Sequence, residues 1–444
     1  MRKNNTKVLP CFISLVCFLT LCSTASALSL EELIQLAENR DAQIRVDTFE
    51  AEAQNADGWQ SVAGYGPTLS VSGSYMRSRD SSRPEDDSEI EHRVANFNEG
   101  EFLAGLKQPV IDLEKATIAM KGMVKMDMAK LQFKKAHEEL LLRVSEQYYE
   151  VLSTRENLKL ARAESEALLK QLENAKQKLD MGFGTITDMH NAQARHSLAI
   201  AGEISGKTAV DNSRKALEEI IGQELDEKIE DLDTDFILPV LSGKVAHWLE
   251  IAFLNNTDFN LRVLQGKTAH LEYRATQSRF LPSLIFFGDY SERYPNGGLL
   301  GYGEKRGEMD VGLRLEMNLF AGGKDTAAVL AAFKRKKAAR ERETVARRSV
   351  KRSVLSLWES IDSTRQLVDA YQRAADANRY AMDSTQASYD EGVKVLLDVL
   401  NAQQDYFRSL RQYKTTRYDY MVLLEKFRLV IGGRNFEAQQ QNIN

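Results

Sequence analysis

The 444-residue sequence is poor in the side chains that most bond-making and metal chemistry requires. Its three cysteines, Cys11, Cys17 and Cys22, all fall in what reads as a secretory leader. Arg2, Lys3 and Lys7 give that leader a basic start, Val8 to Cys22 an apolar stretch and Ala25-Ser26-Ala27 a small-residue cleavage site, so residues 1–27 are expected to be removed before Leu28. The mature chain then has no thiol for a disulfide, a nucleophile or a metal. An uncleaved membrane anchor is opposed by the shortness of the apolar run and by Pro10 near its start. Lipidation of Cys22 is opposed by the bulk of Leu21.

Other absences narrow the reading further. The six histidines (His92, His137, His190, His196, His247, His270) are scattered, and no two share the i, i+4 spacing that puts paired metal ligands on one helical face. There is no Gly-x-Ser-x-Gly elbow and no phosphate-binding loop, and Gly301-Tyr302-Gly303 reads as a turn. No catalytic, cofactor-binding or metal-binding residue is therefore expected, and the chain does not read as an enzyme. After the leader no stretch approaches the roughly 18 apolar residues of a spanning helix, so any membrane crossing must use strands. The formal net charge of −5 gives no reason to expect nucleic acid as a partner.

Only seven residues are proline, and none falls from Asp112 to Asp180 or from Gly322 to Asp390. Each of those stretches reads as one helix which, at about 1.5 Å per residue, reaches on the order of 100 Å. Val144, Tyr148, Val151 and Leu152 follow helical steps, as do Val354, Trp358, Ile361 and Val368, so both helices are expected to pack laterally.

The sequence also repeats itself. Leu179 to Gln193 aligns without a gap on Tyr389 to Gln403, sharing the Asp, Gly, Asp, Asn, Ala and Gln positions, while Ala37 matches Ala252 and Pro67 matches Pro282. Each copy predicts a helix (about 29–62, then 244–280), a strand hairpin (about 67–109, then 283–319), a very long helix, a glycine turn (181–186, then 390–395) and a shorter helix. The copies span 28–222 and 244–432, joined by a linker over 223–243 and followed by a polar tail over 433–444.

The strands alternate. Leu69, Val71 and Tyr75 oppose serines; Phe102, Ala104 and Leu106 oppose Glu101 and Lys107; Leu284, Phe286 and Tyr290 oppose Ser283, Asp289 and Ser291. From Glu308 to Asn318 the alternation is sharpest, with Met309, Val311, Leu313, Leu315 and Met317 on one side. Strands of about nine to eleven residues joined by polar loops (Ser78 to Asn98, Glu292 to Arg306) suit a tilted membrane barrel. Four strands cannot close one, since about eight is the minimum, so several chains must contribute. A soluble half-buried sheet has the same period, and a periplasmic coiled-coil stalk without a pore has similar helices; the stalk leaves the hairpins unexplained. The basic run from Lys334 to Arg352, interrupted by Glu341 and Glu343, reads as a solvated helix face.

At these positions the chain resembles the TolC-like outer-membrane factors of bacterial efflux pumps and type I secretion systems. The resemblance rests on the turn motifs Gly182 to Gln193 and Gly392 to Gln403, the strands headed by Pro67 and Pro282, and Asn318-Leu319-Phe320-Ala321-Gly322-Gly323 before a long helix. It implies a membrane α+β fold: a trimeric 12-stranded β-barrel with four strands per chain, continuous with a long periplasmic α-helical barrel and built from two tandem structural repeats. It implies a homotrimer set in outer-membrane lipid, meeting a periplasmic adaptor (membrane fusion) protein and an inner-membrane pump, proton-driven or ATP-driven. It further implies an adaptor-docking tip at Gly182, Phe183, Gly184, Thr185, Gly392 and Val393. The gate it implies links Thr187 and Asp188 on one helix pair with Tyr389 and Lys394 on the other, Lys394 standing where the family has arginine. Asp398 falls on one acidic-ring position, and Asn401 on the other in place of a carboxylate.

Overall fold

The computed structural model describes residues 28–82, 93–225, 229–231, 238–297 and 303–433. The leader with Cys22, the crown of the first polar loop, Gly301 and Tyr302, parts of the linker and the tail after Gly433 lie outside them.

Helix α1 (Leu30–Arg40) starts at a capping box in which Ser29 and Glu32 satisfy each other's backbone donors. It stops at Asp41, whose carboxylate accepts from the Gln43 amide at 3.0 Å and so caps α2 (Ala42–Ala63). The second half repeats the device: α5 (Val245–Asn255) gives way at Asn256 to α6 (Thr257–Ser278), and Asn256 accepts from the Phe259 amide at 2.8 Å. The single helices expected over 29–62 and 244–280 are therefore each two. The reason is local: an Asx side chain bonds the following backbone more favourably at a cap than inside a helix.

Between these helices and the long ones lies one antiparallel sheet in the order β1 (Thr68–Ser82), β2 (Arg93–Ile111), β3 (Ser283–Pro295), β4 (Arg306–Glu316). β4 has eleven residues, as expected, whereas β1, β2 and β3 outrun the nine to eleven expected, pairing continuing into the polar stretches as far as Ser82↔Arg93. Polar side chains on both faces do not disturb a ladder made by the backbone. Register carries the alternation across the sheet. Leu69, Leu106, Gly288 and Val311 form one row and Val71, Ala104, Tyr290 and Met309 the next, all on one face. Ser70, Gly105, Asp289 and Asp310 lie on the other. The apolar face is open to solvent in the single chain: Leu69 is 75% exposed and Met309 75%.

Helix α3 (Leu113–Asp180) runs unbroken from the sheet for 68 residues and α7 (Lys324–Asp390) for 67, and each turns back as α4 (Ile186–Ile221) or α8 (Leu396–Val430). Next to the sheet the helices form a single layer in the order α2, α3, α6, α7. Gly58 and Gly122 let α2 and α3 touch, since a Cβ on Gly122 would fall 2.5 Å from the Gly58 carbonyl oxygen. The main core lies mid-length, where Leu33, Leu140, Val144, Leu217, Trp248 and Phe427 interlock. The linker contributes to it: the Tyr148 hydroxyl donates to the Glu230 carbonyl at 3.0 Å, and burial pushes that phenol up to about 12. Of the residues assigned to lateral packing, Val144, Tyr148, Val151, Leu152, Val354, Ile361 and Val368 are buried, and Trp358 is partly so.

Candidate gate and docking tip

Both long helices end in the same turn. Gly182 (φ 78°) and Gly392 (φ 81°) occupy the left-handed region, where any side chain costs energy. Around each, successive amides reach back into the finished helix. Phe183 donates to the Lys178 carbonyl at 2.8 Å and Gly182 to Leu179 at 3.0 Å; Val393 donates to Ser388 at 2.8 Å and Gly392 to Tyr389 at 3.0 Å. The turn throws the next side chain outward, leaving Phe183 85% and Val393 76% exposed. Met181, Ile186 and Val395 are also exposed, so the end of the helical body is apolar.

Beyond the glycine the two turns diverge. In the first, the Thr185 hydroxyl accepts from the Asp188 amide at 3.0 Å and donates to the Asp188 carboxylate at 2.7 Å, closing a reciprocal cap. Gly184 is held close there, with an added Cβ only 2.8 Å from the Leu179 nitrogen. In the second, Lys394 takes the place of Gly184, Val395 offers no side-chain cap, and Lys394 lies 3.8 Å from Asp398 one turn on.

Two helix pairs meet just above these turns through a small core of Leu168, Leu172, Ala175, Ala192, Leu396, Val399 and Leu400. Polar groups tie the pairs around it. The Lys178 ammonium lies 3.9 Å from the centre of the Tyr389 ring, and Gln171 donates to Gln386 at 2.8 Å. Arg195 on α4 donates to Asn401 at 3.0 Å and also to Gln404, both on α8. Farther up, Arg411 donates to Glu164 at 2.9 Å.

The arrangement of long capped helices ending in paired apolar turns, above which stands a four-stranded sheet with an apolar face, is matched over almost the full chain by known proteins. The outer membrane efflux protein family model matches residues 33–223 and 248–433. The chain belongs to that family. It is similar to the outer membrane protein TolC of Vibrio cholerae, at 28% identity over 96% of this chain and 95% of the relative. It is also similar to the alkaline protease secretion protein AprF of Pseudomonas aeruginosa, at 26% identity over 74% and 68%. Among solved structures the fold matches the outer-membrane channel OprN (TM-score 0.80, 14% identity, 91% and 90% covered). It matches CusC as well (TM-score 0.79, 14% identity, 91% and 92% covered). Membership makes the chain an exit duct of the outer membrane with a long periplasmic extension, a channel rather than an enzyme.

The residues the resemblance assigns to the gate lie around the two glycine turns, but they do not bond one another across the helix pairs within one chain. Thr187 is exposed on α4, and Asp188 serves Thr185. Of the six, Tyr389 and Asn401 contact the opposite pair, through Lys178 and Arg195. Neither of those cations was singled out from sequence. The available signal was the place of Arg195, two residues past the matched turn motif and one turn on from Asn191 along the same helical face.

Proposed function

We propose that three copies of this chain close their sheets into one twelve-stranded barrel and their helices into a tube that ends at the paired turns. The supporting observation is the sheet itself. Among the described residues β1 and β4 each lack a partner on their outer side, and an apolar face runs from one to the other. Bare edges and a lipid-compatible surface are both satisfied when copies pair edge to edge in a membrane. A pore-free coiled-coil stalk gives that sheet no place.

At the far end, Thr187, Asp188, Tyr389, Lys394, Asp398 and Asn401 form the gate between neighbouring helix pairs. Gly182, Phe183, Gly184, Thr185, Gly392 and Val393 form the surface on which a periplasmic adaptor docks. The exposed Phe183 and Val393 fit that role, because burying them on a partner releases water without breaking any contact inside the chain. The duct is passive and is energised by an inner-membrane pump. A dedicated route for one secreted protein is a second reading, favoured by the likeness to AprF and to the proteases secretion protein PrtF of Dickeya chrysanthemi.

Conductance of purified protein in a planar bilayer tests the proposal. A trimer-dependent pore is expected, and Asp188→Ala is expected to enlarge its conductance if Asp188 restrains the closed tip. Protein that inserts without forming a pore would sink the channel mechanism; an unchanged Asp188→Ala conductance would leave that residue as a helix cap alone.

A further inference from the structure

The basic run on α7, which composition assigns to a solvated face, has a complementary surface on the same molecule that it cannot reach. We propose that α7 of one copy and α2 of the next form an electrostatic seam that closes the helical wall, an inference that rests on the ring reading above.

Among the described residues the single layer α2, α3, α6, α7 has two free edges, α2 and α7. Helix α7 buries Ala332, Ala339, Val350 and Val354 toward its neighbours. At helical spacing on the opposite side it exposes Leu330, Lys334, Val345, Arg348 and Arg352. Its cations from Lys334 to Arg352 form no ion pair among the described residues; Lys336, Lys337 and Arg347 lie over aromatic rings instead. Helix α2 is the converse. It buries Ile44, Ala51 and Gly58 and exposes Val46 and Phe49 on the other side, with Glu50, Glu52 and Asp57 exposed as well, while half-exposed Asp47 lies toward the buried side. Arg45 is its one cation, and none of those four carboxylates has an ion-pair partner among the described residues.

The molecule already contains one such seam. Where α3 of the first half meets α6 of the second, Lys121 pairs with Glu272 and Lys135 with Asp258 at 2.7 Å, cations on the long helix and carboxylates on the short one. Arg279 with Glu114, at 2.8 Å, runs the other way. Helix α7 meeting α2 of another copy is the same junction taken in the reverse order of halves. Aligning Asp180 with Asp390 and Ala37 with Ala252 transfers the α3–α6 pairing directly. It sets Leu330 about level with Trp59 and the stretch from Lys334 to Arg342 level with that from Val46 to Gln54, which holds Asp47, Glu50 and Glu52, so apolar contact closes the end nearest the sheet and opposite charges follow below it.

Two measurements on the full mature chain test this. Because that chain is expected to lack cysteine, Trp59→Cys combined with Leu330→Cys offers one defined pair. A short bis-maleimide should join copies into covalent dimers and trimers, and neither single variant should do so. Reversing α2 with Glu50→Lys, Glu52→Lys and Asp57→Lys should lower the trimer fraction by at least about tenfold on dilution. Adding Lys334→Glu, Lys337→Glu and Arg340→Glu should restore it, which a misfolded variant would not allow. If wild-type protein is itself not oligomeric, the ring reading fails. If it is trimeric but the cysteines do not cross-link and charge reversal leaves the trimer unchanged, the seam alone is overturned.

Discussion

Helices α3 and α7 are almost equal in length and occupy equivalent places in the two halves, yet 22 residues of α3 are buried against seven of α7. The contrast comes from position. Helix α3 is flanked by α2 and α6 near the sheet and by α4 and α8 toward the tip, so it is covered on several sides. Helix α7 has neighbours on one side only. Near-identical backbone lengths therefore carry different sequences: α3 presents Leu140, Val144, Leu152 and Leu172 at helical steps, while α7 alternates alanine with lysine and arginine. A long helix whose exposed face combines charge with isolated Leu330 and Val345 has the composition of an unfilled interface rather than of a surface built for water.

Substitutions can break this contrast directly. Leu140→Ala on α3 empties a fully buried site and is expected to cost about 2–5 kcal/mol in denaturant unfolding of the detergent-solubilised protein. Val345→Ala on α7 should leave that unfolding unchanged for dissociated chains and weaken only the oligomer. Equal effects at both sites would mean that α7 is as self-sufficient as α3. Smaller changes compare the two tips. Gly182→Ala and Gly392→Ala place a side chain at φ 78° and 81°, at an expected cost of about 1–2 kcal/mol each, visible as faster hydrogen exchange in the last helical turns. Thr185→Ala removes a cap and should cost about 1 kcal/mol, whereas Val395→Thr supplies one to the second turn and should slow exchange at the start of α8. The smallest expected effect on stability is that of Arg195→Ala, which removes a partly exposed link; its readout is instead a larger conductance, and an unchanged pore would place that link outside the gate.

Most of the architecture was legible because it rests on periods and on glycine. Alternation in β1 to β4 assigned faces that the register confirms row by row, and the absence of proline marked both long helices to within two residues. Helix breaks at Asp41 and Asn256 were missed because an Asx residue is tolerated inside a helix and announces a cap only when the chain already turns there. Strand ends were missed because polarity marks exposure, not the end of backbone pairing. At the tip, the turns carried a signal in Gly182 and Gly392, whereas the contacts of Lys178 with Tyr389 and Arg195 with Asn401 join residues more than two hundred positions apart. Nothing local distinguishes such cations from their neighbours. The basic run on α7 is exposed in the chain, as its composition indicated, while the seam proposed for it depends on α2, at the other end of the chain.

The sheet with two bare edges also sets a demand on timing. A lone copy leaving the inner membrane carries a greasy face and two rows of unpaired backbone groups, either of which can capture any other unfolded strand it meets. It cannot wait in the periplasm in that form. In the ring proposed above, meeting its fellows and entering the lipid are steps of one event, so the rate at which ducts mature should climb more steeply than in proportion to the supply of chains, and a cell short of this protein should hold fewer ducts rather than slower ones.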